Sequence, residues 1–290
     1  MREVDEALSR AFARVPREAG GPVPPVPHWP PREGSPAPEP ARVPAGPGHV
    51  GARIEMVDGR VIARHAPAGP GRGLDDADRG ESVELRWPAV VQLLERRWGD
   101  RFEQMADRLI EARDRHNTRV LLFASCHRAE GRTTLVLTLS RALARRGGRT
   151  VLVDGDLAGP MLARSLGLMP AVGLDDVVDG GHALADAILE SRDDHLWILP
   201  LRAPVARPRE FLAGAGWSCA MARIRREFDL VLIDGSPIFT GLSAAVPHRS
   251  ADAAILVHNP SMAGERSILR AREALVDAGI PLLGLAETFV

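Results

Sequence analysis

At 290 residues the chain has room for one full-sized domain and an extension, and its 45% hydrophobic and 26% charged residues are an ordinary globular balance. A net charge of -1 gives no electrostatic reason to expect nucleic acid or an anionic membrane as the main partner. Two cysteines, Cys126 and Cys219, make neither a disulfide framework nor metal-ligand spacing, so a reducing cytoplasm is the expected compartment.

The chain opens on Val4, Leu8, Phe12 and Val15 at helical spacing among charged residues, which predicts a short amphipathic helix over 1–15. Its charges stand where a signal peptide needs an apolar core, and no apolar run approaches the roughly 20 residues of a membrane span. Residues 16–82 read as a linker rich in Pro and Gly, with half of the 24 prolines between Pro16 and Pro47. Within it, Arg53 to Val57, then Asp58-Gly59, then Arg60 to Ala63 has the form of a β-hairpin over 53–63. An ordered domain is expected over 83–290. It starts with a helix entered at Trp87-Pro88 and carrying Val90, Val91, Leu94 and Trp98, then a second helix with Phe102, Met105, Ala106, Leu109 and Ile110.

From Thr118 onward, strand and helix patterns alternate. Strands are predicted at Val120 to Ser125, Thr150 to Asp154, Leu196 to Leu201, Leu230 to Asp234, Ala253 to His258 and Leu282 to Ala286. Helices are predicted at Thr133 to Arg146, Ala183 to Glu190, Phe211 to Glu227 and Glu265 to Ala278. The strands are continuously apolar, as when helices cover both faces. The expected fold is therefore α/β, a doubly wound, mostly parallel sheet. Ligands in such sheets sit at the carboxyl ends of the strands.

Three of those ends carry the informative residues. The first strand delivers Cys126-x-x-x-x-Gly131-Arg132-Thr133, which keeps the second glycine and the hydroxyl residue of the phosphate-binding pattern G-x-x-x-x-G-K-[ST] but not its first glycine or lysine. The second strand ends in Asp154 and Asp156, and the third, apolar from Leu230 to Ile233, ends in Asp234. A triphosphate held with Mg²⁺ needs backbone amides, a cation, a hydroxyl on the metal and carboxylates around it. Thr133 can supply the hydroxyl, Asp234 the metal-side carboxylate, and Asp154 or Asp156 an acid that orients an attacking group.

With these motifs in place, the chain from about Val83 resembles the bacterial tyrosine-kinase family of capsular and exopolysaccharide export (CpsD/CapB-like), a branch of the MinD/ParA P-loop ATPases. Glu130-Gly131-Arg132-Thr133-Thr134 sits on that family's GEGKST or GEGKTT, VLVDGD at Val151 to Asp156 on its DxDxR strand, and VLIDGSP at Val231 to Pro237 on its DxPP strand. Gly173 to Gly180 also follows a run typical of the family. The resemblance implies ATP and Mg²⁺ as cofactors, held by Ala129, Glu130, Gly131, Arg132, Thr133 and Thr134, with Thr133 and Asp234 at the metal and Asp154 and Asp156 catalytic. It implies an inner-membrane polysaccharide co-polymerase or export protein as partner, further copies of the chain as another, and a cytoplasmic location peripheral to the inner membrane.

The chain departs from the family in four places: Arg132 replaces the lysine, Cys126 the first glycine, Ala158 the arginine of DxDxR, and the Glu287-Thr288 region supplies no base-side asparagine. Arginine keeps the charge, but its planar fork is not a compact point charge. The 290 residues contain no tyrosine, so tyrosine autophosphorylation is not expected. The expected function is ATP-binding regulation of exopolysaccharide or capsule assembly, with two alternatives: an inactive pseudo-ATPase adaptor, or a MinD/ParA-type positioning ATPase. The arginine in place of lysine leaves open whether the chain is an enzyme at all.

Overall fold

In a computed structural model, the structure describes residues 53–57, 60–64, 82–239 and 250–288. The amphipathic helix expected over 1–15 and most of the linker lie outside the described residues. The chain divides into two units. In one, β1 (Arg53–Val57) and β2 (Arg60–Arg64) pair antiparallel, with Val57 opposite Arg60.

The other unit holds a seven-stranded sheet. Its strands are β3 (Val120–Ser125), β4 (Thr150–Gly155), β5 (Leu189–Ser191), β6 (Leu196–Leu199), β7 (Leu230–Pro237), β8 (Ala253–His258) and β9 (Leu282–Glu287). They lie in the order β5-β6-β4-β7-β3-β8-β9, and every pairing is parallel except β5 with β6. All of β3, β4 and β8 is buried, the physical basis of their unbroken apolar runs.

Alternate residues of each strand feed two cores. Leu121, Phe123, Leu152 and Leu232 face α1 (Ala89–His116) and α2 (Arg132–Ala144), while Val120, Leu122, Val153 and Ile233 face the opposite layer. That layer comprises α4 (Leu174–Val178), α6 (Pro208–Ala213), α7 (Ala215–Glu227) and α8 (Glu265–Asp277), with the one-turn α3 (Leu162–Ser165) and α5 (Leu184–Ala187) in the connections. The doubly wound parallel fold expected from the sequence is the fold observed.

The differences are local. The two helices expected between Trp87 and Ile110 are one element with a kink at Trp98, whose φ of -132° and ψ of 18° leave the helical region beside Gly99. The helix expected from Ala183 to Glu190 is one turn followed by β5, because Leu189 and Ser191 are drawn into the antiparallel pairing with β6. Gly214 splits the helix expected from Phe211, serving as the extended cap of α7. At the amino ends of the strands, the Asp252 carboxylate accepts the N–H groups of Arg119 and Val120 at 2.8 and 2.9 Å and pairs with Arg225. That carboxylate pins the start of β3 to α7, so the open chemistry is left to the carboxyl ends.

Candidate functional site

The carboxyl end of β3 leads into a loop that closes on α2. Gly131 caps α2 with a φ of 82°, a left-handed conformation that glycine adopts without penalty, and no side chain caps the helix. Ala129 also stands at a φ of 63°, where its Cβ costs roughly 1 kcal/mol. A non-glycine residue held in this region is backbone strain at a turn around a helix N-terminus. The exposed amides of such a turn are a cradle for an anion.

Two straps hold the loop from behind. The Glu130 carboxylate, 1% exposed, accepts the His127 N–H at 2.6 Å and the Asn259 N–H at 3.4 Å. The Thr288 hydroxyl donates to the Glu130 carbonyl at 2.6 Å. Asn259 follows directly on β8, and Thr288 on β9, so the last two strands fix the loop. Glu130, expected among the cofactor-binding residues, borders the cavity, but its carboxylate is spent on the His127 and Asn259 amides.

In front lie the acids. Register places Asp154 of β4 level with Asp234 of β7, and no side chain could replace the glycines that follow: a Cβ on Gly155 would meet Ile233 at 2.6 Å, and one on Gly235 would meet Leu122 at 2.6 Å. The strand ends are therefore drawn together. Burial and the neighbouring Asp234 push the Asp154 carboxyl up to about 7. Asp154 is fully buried and accepts the Asp156 and Leu162 N–H groups at 3.2 and 3.0 Å, so it shapes the turn after β4 rather than lining the cavity.

Arg132 runs inward from the first residue of α2 and is 8% exposed. Its Nε donates to Asp234 Oδ1 at 2.6 Å, one terminal nitrogen to Ser125 Oγ at 3.1 Å and the other to Asp156 Oδ2 at 3.3 Å. Burial works against the guanidinium charge, but Asp234 and then Asp156 more than offset it, and the proton is held more tightly than usual. A guanidinium this buried persists only with such partners. Thr133 Oγ1 donates to Asp234 Oδ2 at 2.7 Å. Asp156 is saturated: Arg128, whose side chain is 48% exposed, grips both its oxygens at 3.1 and 3.3 Å, and the Gly159 N–H and Ser236 hydroxyl each donate to Oδ1 at 3.3 Å.

These groups surround a cavity of about 370 Å³ whose walls include Arg128, Gly131, Thr133, Thr134, Asp156 and Asp234. A larger cavity, about 540 Å³, opens beside Asp175, Arg207 and Phe211, away from the loop and the acids. Thus the expected Ala129 to Thr134, Asp156 and Asp234 gather around one space, with Asp154 behind it. Arg128, Ser125, Ser236, Asn259 and Thr288 were not anticipated. Arg128 alone had a sequence signal, as a second basic residue inside the loop. Asn259, 9% exposed, follows directly on the end of β8.

The donor set fits a metal-bound nucleoside phosphate. A hydroxyl 2.7 Å from a strand-end carboxylate keeps its lone pairs for a hard cation, beside a helix N-terminus suited to phosphate. Among the described residues, no three His, Cys, Asp or Glu side chains are placed to hold a metal on their own.

No family model matches the chain. The tyrosine-protein kinase CpsD of Streptococcus pneumoniae is 24% identical over 168 residues, covering 58% of this chain and 74% of that protein. The tyrosine-protein kinase YwqD of Bacillus subtilis is 26% identical over 171 residues, 59% of this chain and 72% of that protein. Among solved structures, the BceF tyrosine kinase domain aligns at a TM-score of 0.59 with 25% identity, covering 65% of this chain and 76% of that one. The kinase domain of the Escherichia coli tyrosine kinase ETK shares the fold, at a TM-score of 0.61 with 20% identity over 66% of this chain and 75% of that one.

Fold, loop and strand-end acids together define a P-loop protein of the MinD/ParA-like group. Within that group its relatives include the tyrosine-protein kinases CpsD and YwqD and the putative tyrosine-protein kinase CapB.

Proposed function

We propose that this chain binds ATP with Mg²⁺ in the cavity before α2 and regulates exopolysaccharide or capsule assembly through a membrane-bound export partner. The observation that carries the reading is the Thr133 hydroxyl on Asp234, at the N-terminus of a helix entered through a left-handed glycine. Thr133 and Asp234 would hold Mg²⁺, which, when bound, offsets phosphate charge. The amides from Ala129 to Thr134 cradle the phosphates, and Asp156, once Arg132 leaves it, is the acid on the cavity wall able to orient an attacking group. Tyrosine autophosphorylation is no part of the reading, since the 290 residues contain no tyrosine. A cytoplasmic site peripheral to the inner membrane accords with it, and among the described residues no helix is long and apolar enough to cross a membrane.

One observation favours a second reading, the inactive adaptor: the only cation on the first turn of α2 is spent on Asp234 and Asp156. Calorimetric titration of Mg-ATP and Mg-ADP decides between them. Binding by the wild type, weakened tenfold or more by Thr133→Ala, supports the first reading. No heat at millimolar nucleotide leaves the adaptor.

A further inference from the structure

The family pattern places a cation at position 132 but says nothing of an arginine locked to two acids, and that lock has a consequence for binding. We propose that Asp156 is a positioning residue, a latch that holds Arg132 away from the phosphate cradle, so that a metal-bound nucleotide binds only as the latch opens. This rests on the nucleotide reading above.

Three observations carry it. First, Arg132 bridges two carboxylates on different strands, Asp234 of β7 and Asp156 just beyond β4, and lines the cavity it would have to serve. A lysine, with a single ammonium, lacks the fork that spans both. Second, Asp234 carries two donors at once, Arg132 on Oδ1 and Thr133 on Oδ2. A divalent cation beside Thr133 therefore competes with the guanidinium for the same carboxylate. Third, Asp156 is itself fixed from four sides, by Arg128, Arg132, Gly159 and Ser236, so it is an anchor that stays in place when Arg132 leaves. With Arg132 latched, the wall presents Asp234 and Asp156 already neutralised, and both arginines at the cavity, Arg128 and Arg132, are engaged on Asp156. A ligand then binds with its intrinsic affinity reduced by the fraction of molecules in which the arginine is free.

The test is a double-mutant cycle read as the Kd of Mg-ADP by calorimetry at fixed ionic strength, in full-length protein. All four proteins carry Arg128→Gln, so that of the two arginines on Asp156 only Arg132 can respond to the second change. Asp156→Asn is expected to tighten binding at least fivefold when Arg132 is present and less than twofold when Arg132 is replaced by glutamine. Equal tightening in both backgrounds would mean that Asp156 acts only as a nearby negative charge, and the latch is overturned. Weaker binding in Asp156→Asn overturns it as well.

Arg132→Lys in the otherwise unchanged chain is a second arm that leaves Asp156 untouched. It should bind at least fivefold tighter than the wild type, with thermal melting confirming the fold. Should the wild type fail to bind while Arg132→Lys binds, the latch is supported if Asp156→Asn restores binding as well, and is overturned if only the lysine does. Should neither the wild type nor any variant bind Mg-ADP, the nucleotide reading itself falls, and the latch with it.

Discussion

A carboxyl group sealed from water beside a second carboxylate keeps its proton into the neutral range, and Asp154 is such a group at about 7. The unfolded chain releases that proton near the ordinary carboxylate value, so between about pH 4 and 7 the folded state holds more protons than the unfolded one. Stability from this group is therefore present at low pH and lost as pH rises through 7, by roughly 4 kcal/mol over the whole window. Urea unfolding at pH 5 and pH 8 checks the sign. Asp154→Asn should gain on the wild type by a few kcal/mol between those two values, since asparagine has no proton to lose. A constant difference between the two proteins would contradict it. The sequence showed that an acid stood at this strand end, because an unbroken apolar run stopped there. It could not show that Asp154 would be enclosed while Asp156, two residues on, would reach the cavity. That division comes from the turn after β4, whose amides at Asp156 and Leu162 claim both oxygens of Asp154. Arg132 is the same case from the other side: its identity was legible, but the direction of a long flexible side chain is set by acids distant in sequence.

Among the elements, α1 is where local propensity and the tertiary fold disagree. Gly99 follows the kinked Trp98 within a continuous helix, and nothing lies within 4 Å of where its Cβ would be. Gly99→Ala should therefore stabilise the protein by about 0.5–1 kcal/mol, chiefly by restricting the unfolded chain, and raise the melting temperature by a few degrees. A lower melting temperature would mean that the kink requires glycine. Periodicity located both halves of this helix from Val90 to Ile110, yet it suggested two helices because Trp98-Gly99 interrupts the pattern. The β5 strand was illegible for another reason. Three residues are too short a run to signal a strand, and they are extended only because β6 lies beside them. By contrast β3 and β8 were legible to the residue, since full burial on both faces makes the whole strand apolar.

At the scale of the molecule, alternation of strand and helix settled the architecture, and the order of the strands put the loop of β3 between β7, which brings the acid, and β8, which brings the rear support. The sheet thus has a fixed end and a working end: Asp252 pins β3 to α7 at the amino side, while at the carboxyl side the loop hangs on a few polar contacts. One of them reaches the sheet's margin. β9 is the last strand among the described residues, and the hydroxyl of Thr288, immediately after it, holds the Glu130 carbonyl. Thr288→Val keeps the shape and removes that donor, and should speed amide hydrogen exchange at Gly131 to Thr134 while leaving β3 as protected as before. Unchanged exchange in the loop would show that the Thr288 hydroxyl does not restrain it. The contact is a mechanical linkage. A push on the outermost strand would reach the turn before α2 through one hydroxyl, so the border of the sheet and the mouth of the cavity share a contact through which a lever could act.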